Sequence, residues 1–242
     1  MKKKVVITGA ANGIGRAAAM ACLAEDFYVI AADKDMAGLE SLQAEASSDR
    51  LEIIFADFAD FSTLKTFIPR LYSRHESLSG LVNNAGLYHG QSVFDYSDAQ
   101  IDEICMVNLK SLIYLSRDFA RREMSISGTR SIVNVTSVAG EVGSFDALYG
   151  ATKAGVIGLT KANAWNFAPS IRVNAVSPAL VRNTSIFNRI PEHRRREYER
   201  QEILREPIQP SGVADVIVFL LGEKSRHLTG QIIAVDNGAY PR

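Results

Sequence analysis

The sequence is poor in several things, and each shortage narrows what the chain can do. It holds two cysteines, Cys22 and Cys105, far apart and in no C-x-x-C pattern. That excludes a disulfide framework and a zinc site, and it fits a reducing compartment. Neither sign of charge is in excess, since 27 basic side chains meet 27 acidic ones. Proteins that bind nucleic acid carry a basic surplus for phosphate, so nucleic acid is not the main partner. No apolar run approaches the ~18–20 residues of a membrane span. After the lysines of MKKKVVITG the apolar run stops at Ile7 and turns polar at Thr8 and Gly9, which leaves no signal-peptide core. A cytoplasmic protein without a membrane partner is expected. There is no Ser/Pro-rich linker and no internal repeat, so the 242 residues read as one domain.

What is present alternates. Short apolar, β-branched runs at 5–8, 28–32, 51–55, 80–83, 131–136, 171–176 and 231–235 predict seven strands. Helical stretches lie between them, at 14–25, 36–47, 61–74, 98–124, 149–167 and 212–222. The strands are continuously apolar, so both faces of the sheet are covered. The expectation is an α/β fold: a doubly wound, mostly parallel sheet with helices on both faces. Residues 183–210 are too long for a tight connection and predict a substrate lid.

TGAANGIG (8–15) joins the first strand to the first helix. Gly9 permits a tight turn, Gly13 lets backbone approach a pyrophosphate, and Gly15 lets helix and strand pack closely. The helix N-terminus offers N–H donors to phosphate. The spacing is G-x-x-x-G-x-G, so the common G-x-G-x-x-G rule applies by analogy, and a purely structural glycine turn is the alternative. Asp33 closes the second strand 18 residues after Gly15. A carboxylate there accepts hydrogen bonds from ribose hydroxyls and repels a 2′-phosphate, which points to NAD over NADP. Lys34 follows it, either as a solvated strand-end lysine or as a phosphate ligand.

With TGAANGIG, Asp33, NNAG (83–86), Asn108, SIVNVTS (131–137) and YGATK (149–153) in order, the whole chain resembles the short-chain dehydrogenase/reductase family and its Rossmann-like fold. The resemblance implies that Gly9, Asn12, Gly13, Ile14 and Gly15 hold the pyrophosphate. It implies Asp33 at the adenosine ribose, and Asp57 and Phe58 at adenine. Asn84, Ala85 and Gly86 line the cofactor, while Pro178, Val181 and Asn183 serve the nicotinamide. Asn108, Ser137, Tyr149 and Lys153 match the catalytic tetrad, with Tyr149 and Lys153 also touching cofactor. It further implies a homo-oligomer, dimer or tetramer, built on helices 98–124 and 149–167 and on QIIAVDNGAY.

The tetrad has its own physics. A free tyrosine has a pKa of ~10, too high for an efficient base at neutral pH. An ammonium four residues on shares its helix face and favours phenolate. Ser137 would donate to the substrate oxygen, and Asn108 would hold a water linking Lys153 to solvent. The plain alternatives are a helix-start aromatic, a surface lysine and a buried asparagine satisfied by backbone.

Four departures from the family pattern stand out. Ala179 replaces a glycine after Pro178, at a strain on the order of 1 kcal/mol if that residue is left-handed. Asn183, with Thr184 next to it, stands where a threonine is usual. Ser79-Gly80 stands where an aspartate usually precedes LVNNAG. Ser137 to Tyr149 spans 12 residues, one fewer than usual, so Thr136 competes with Ser137 for the substrate.

The substrate pocket is expected from Val138, Gly143, Ser144, Phe145, Tyr88, His89 and 180–204. Residues 189–206 carry six arginines and five glutamates, with Glu192–Arg196 and Arg195–Glu199 spaced as pairs on a solvated helix face. Arg182 is a candidate carboxylate contact, and His89 reads as a substrate ligand or an exposed residue. The leading function is an NAD-dependent oxidoreductase of a secondary alcohol or ketone. The alternative is a dinucleotide sensor or scaffold without turnover. A sugar-nucleotide epimerase would need a larger C-terminal domain than follows Pro178.

Overall fold

Apolar runs form the strands, and the intervening stretches form the helices that cover them. The computed structural model describes residues 3–240, so the first two and last two residues of the expected domain lie outside the described residues. In chain order the elements are β1 (Lys4–Thr8), α1 (Gly13–Ala24), β2 (Tyr28–Asp33), α2 (Met36–Ala46), β3 (Leu51–Phe55), α3 (Phe61–Leu71) and β4 (Gly80–Asn83). Then come α4 (Asp98–Cys105), α5 (Ser111–Glu123), β5 (Arg130–Val135), α6 (Ala139–Val142), α7 (Ala147–Asn166) and β6 (Ile171–Pro178). The chain ends with α8 (Ser185–Arg189), α9 (Glu192–Gln201), α10 (Pro210–Leu221) and β7 (Ile232–Val235).

The sheet runs β3-β2-β1-β4-β5-β6-β7, and every neighbouring pair is parallel. Helices pack on both faces. On one, the small residues Ala18, Ala19 and Cys22 of α1 meet Val213, Ala214 and Ile217 of α10. On the other, Leu64 and Phe67 of α3, Leu115 and Phe119 of α5 and Ala164 of α7 cover the strands. Each such large side chain, fully buried, contributes about 1.5–3 kcal/mol. Cys22 belongs to this core, where burial pushes its thiol up to about 12, while Cys105 is exposed, and both thiols are free. Among the described residues no helix is long and apolar enough to cross a membrane.

The chain winds outward in both directions from β1, through β2 and β3 on one side and β4 to β7 on the other. A crevice opens above the carboxyl ends of β1 and β4, the place where ligands bind such sheets. Two elements differ from expectation. The predicted long helix 98–124 is interrupted by a π-turn at Met106–Lys110, centred on Asn108. The predicted lid loop is largely helical, folded into α8 and α9 and tied down by Asn237, whose carbonyl accepts from the N–H groups of Ile203 and Leu204.

Candidate active site

The crevice holds a cavity of about 350 Å³. Its phosphate end is built by exclusion of side chains. Gly9 is left-handed at φ +66°, and a Cβ on it would stand 2.8 Å from the Ala85 Cα. A Cβ on Gly15 would lie 2.0 Å from the Gly9 carbonyl oxygen. The Asn84 amide donates to the carbonyls of Thr8 and Gly9, both at 2.9 Å, and fastens β4 to the turn. α1 begins at Gly13 without a side-chain cap, because Asn12 turns away to donate to Asp35 at 2.9 Å. Gly13 and Ile14 therefore bring an uncapped helix end to the cavity, which fits a phosphate. Asp33 lines the cavity with both oxygens held, one by the Ala11 N–H and one by the Asp35 N–H, each at 3.0 Å. Lys34 is exposed on the same rim, and Asp57 and Phe58 continue the wall.

The other end of the cavity lies between β5, β6 and α7. Tyr149 and Lys153 are both buried on one face of α7, with the Lys153 ammonium 5.7 Å from the phenol ring centre. Lys153 donates to the Val135 carbonyl at 2.8 Å. The ammonium was expected to lower the phenol, but Lys153 is not among the groups that shift it, and burial raises it. Burial pushes Tyr149 up to about 12, with the nearby Tyr88 and Asp146 adding to the rise and a hydrogen bond with Ser137 opposing it. Burial also pushes Lys153 down, to about 8.

The two candidate hydroxyls part company here. Thr136 donates to the Lys153 carbonyl at 2.8 Å. Ser137 accepts from the Ala139 N–H at 3.2 Å, donates to the Pro178 carbonyl at 3.4 Å, and lies beside the Tyr149 phenol. Asn108 does not line the cavity. Its side chain is a bracket, accepting from the Leu87 N–H at 2.6 Å and donating to the Leu87 carbonyl at 2.8 Å and to Thr152 at 3.3 Å. Its Oδ1 and the Lys153 Nζ both lie 3.6 Å from a Cβ placed on Gly86.

The remaining predicted residues divide. Gly9, Asn12, Gly13, Ile14, Asp33, Asp57, Phe58, Asn84, Ala85, Gly86, Ser137, Tyr149, Lys153, Pro178 and Val181 all line the cavity, and Gly15 packs behind it. Asn183 does not. It is left-handed at φ +57° and donates outward to Gln209 at 3.1 Å. Thr184 takes its place on the wall, capping α8 and standing 3.3 Å from a Cβ on Gly13. Ala179 is not left-handed, and its N–H donates to the Val235 carbonyl at 3.1 Å, so the strain foreseen there is absent.

The space where a substrate is expected is walled by Tyr88, Val138, Gly143, Ser144, Leu180 and Phe187, among others. Phe145 lies under the Arg194 guanidinium at 4.2 Å, and His89 stands edge-on to Tyr96, both off the wall. Glu192–Arg196 forms as a helix pair. Arg195 instead stacks on Phe187 at 4.8 Å, and Arg182 pairs with Glu199 while stacking on the same ring. The solvated-face reading therefore fails for Arg195, while Arg182, the candidate contact for a substrate carboxylate, is held by Glu199; both planar heads pack on an aromatic. Asp146 was overlooked. An aspartate just before a helical stretch is an N-cap signal, and it caps α7 by accepting from the Tyr149 N–H.

The family profile described as Enoyl-(Acyl carrier protein) reductase matches residues 9–240. A 3-oxoacyl-[acyl-carrier-protein] reductase, FabG, of Thermotoga maritima is 34% identical over 240 residues, covering 98% of this chain and 97% of that protein. A 7alpha-hydroxysteroid dehydrogenase of Bacteroides fragilis is 32% identical, covering 98% and 93%. A crystal structure of a short-chain dehydrogenase/reductase, described as glucose/ribitol dehydrogenase, from Brucella melitensis superposes with a TM-score of 0.91 at 30% identity, covering all of both chains. The 3-ketoacyl-(acyl-carrier-protein) reductase of the same organism, in complex with NADH, gives 0.89 at 26% identity, covering 98% of each chain.

Proposed function

The chain belongs to the short-chain dehydrogenase/reductase family, and on that premise we propose that it interconverts a secondary alcohol and a ketone with a nicotinamide dinucleotide, Tyr149 carrying the proton. The observation that supports this most is the meeting of Ser137, Tyr149 and Lys153 in the same cavity as an uncapped helix end. When bound, the dinucleotide supplies or accepts the hydride. Gly9, Gly13 and Ile14 hold its pyrophosphate, Asp33 its adenosine ribose, Asp57 and Phe58 its adenine. Asn84, Ala85 and Gly86 lie along it. Pro178 and Val181, with Thr184 in the stead of Asn183, face the nicotinamide.

Tyr149 holds its proton at neutral pH, since burial raises its pKa. It therefore enters a ketone reduction as the loaded acid. In alcohol oxidation it accepts the proton, and Lys153 on the same helix face favours the phenolate that must form first. Ser137 donates to the substrate oxygen as charge develops on it. NAD is preferred over NADP, because a 2′-phosphate would meet the fixed Asp33 carboxylate. The protein works in the cytoplasm as a homo-oligomer, dimer or tetramer, on small alcohols or carbonyl compounds, with α5, α7 and the half-exposed edge strand β7 as contact elements.

The test is a panel holding a β-ketoacyl thioester, a hydroxysteroid and simple secondary alcohols and ketones, each with NAD(H) and NADP(H), followed by nicotinamide absorbance. At least one substrate turns over, faster with NAD(H). Tyr149→Phe loses turnover by at least ~10²-fold and keeps NADH binding. NADH binding with no turnover across the panel would favour the sensor reading. Tighter binding of NADPH would overturn the role given to Asp33.

A further inference from the structure

Asp146 is a fully buried carboxylate, and its oxygens collect donors from two separate segments of the chain. One oxygen accepts from the Tyr149 N–H at 3.0 Å, and the other from the Gly90 N–H at 2.9 Å. The Tyr96 hydroxyl reaches both, at 2.7 and 2.8 Å. Among the described residues no Lys, Arg or His forms an ion pair with it. A helix cap alone needs one acceptor and suits a partly solvated Ser or Asn as well. A buried carboxylate is costly unless fully hydrogen-bonded, so this one makes sense as a fastening between segments.

The second segment walls the substrate space. Tyr88 lines the cavity and meets the Tyr149 ring edge-on, with centroids 5.1 Å apart. The wall is held at three points: Asn108 grips Leu87, Arg189 donates to the Tyr88 carbonyl at 2.8 Å, and Asp146 takes Gly90 and Tyr96. We propose that Asp146 is a positioning residue, fastening the 87–96 wall to the start of the helix that carries Tyr149.

The Asp146 carboxylate also opposes phenolate formation at Tyr149, as a like charge does. The other groups facing Tyr149 are Lys153 on its own helix, Ser137 after β5 and Tyr88 on the wall, with Tyr198 and Arg194 of α9 facing Tyr88. Removing the charge lowers the phenol's pKa, so the limb of alcohol oxidation that needs phenolate moves to lower pH.

Asp146→Asn keeps the cap and the volume and removes the charge. By hydrogen exchange its 87–97 amides open at least ~10-fold faster than wild type while 9–15 are unchanged. In the kinetics, with whichever panel substrate is turned over, the basic limb shifts to lower pH and the KM for the ketone rises more than that for NADH. Tyr96→Phe removes one donor and keeps the charge. It speeds exchange at 90–97 and leaves the pH limb in place. Wild-type exchange over 87–97 in Asp146→Asn, or an unmoved limb, overturns the proposal. Should Asp146→Asn not fold, wild-type exchange at 90–97 in Tyr96→Phe overturns it alone. The kinetic arm rests on the alcohol–ketone reading. If the wild type turns nothing over, that reading fails while the exchange arm still decides the fastening.

Discussion

Thr136 and Ser137 are neighbours with the same functional group, and their geometry gives them different tasks. The Thr136 hydroxyl is spent on the Lys153 carbonyl, deep between β5 and α7. Both residues line the cavity, but the Ser137 hydroxyl has only a long 3.4 Å bond to the Pro178 carbonyl and lies beside the Tyr149 phenol. Ser137→Ala should therefore lower kcat by about 10²–10³-fold with little change in Tm, the scale set by removing one donor to a developing oxyanion. Thr136→Ala should cost about 0.5–1.5 kcal/mol of stability and change kcat only a few-fold. A thermal melt and a steady-state assay on each variant decide it, and the reverse pattern would mean that Thr136 serves the substrate. The sequence interval alone left this open, because counting residues does not say where a shortened loop is shortened. In the fold the segment between Ser137 and Tyr149 holds the short helix α6 and the left-handed Gly143 at φ +90°. The pKa expectation for Tyr149 failed for a related reason. Spacing puts an ammonium on the same helix face, but it does not report how completely both groups are desolvated.

Elements carry the next level of constraint, and the junction of β1 and α1 is the tightest. Gly15 is not left-handed; it is glycine because the helix rests on the Gly9 carbonyl. Gly15→Ala must push α1 off the turn, an overpacking expected to cost about 1–3 kcal/mol. The uncapped helix end moves with it, so NADH affinity falls in a fluorescence titration while Tm drops. Gly212→Ala is the matched control. It lies in α10 with nothing within 4 Å of its Cβ position, and it should gain up to about 1 kcal/mol from helix propensity. Equal effects from the two would remove the packing argument. Strands and covering helices were legible in the sequence because apolar periodicity reports burial. The π-turn at Asn108 was not, since one extra residue in a helix leaves the apolar pattern nearly intact. α8 was not legible either, and α9 showed only as charge pairs at helical spacing in a run without an apolar stripe. What holds them is guanidinium stacking on Phe187 and backbone bonds to Asn237, contacts that exist only after the chain has folded back.

The described residues leave apolar surface uncovered outside the cavity. Trp165 near the end of α7 is 87% exposed, and Ile113 on α5 is 41% exposed. A tryptophan in water is unfavourable, and burying it against a second copy gives a large apolar contribution at little entropic cost. Helices α5 and α7 are also those that the family resemblance assigns to a dimer face. The proposed oligomer therefore predicts that the wild type scatters light as two or four times the 26.5 kDa chain. Trp165→Glu puts a charge where the partner would sit, and an unpaired buried charge is strongly unfavourable. Its mass should fall to the chain or half the wild-type assembly. NADH binding should persist, because Trp165 takes no part in the cavity wall. A wild-type protein that scatters as a single chain, or a Trp165→Glu protein with unchanged mass, would place the contact elsewhere and leave the exposed indole without a role in assembly.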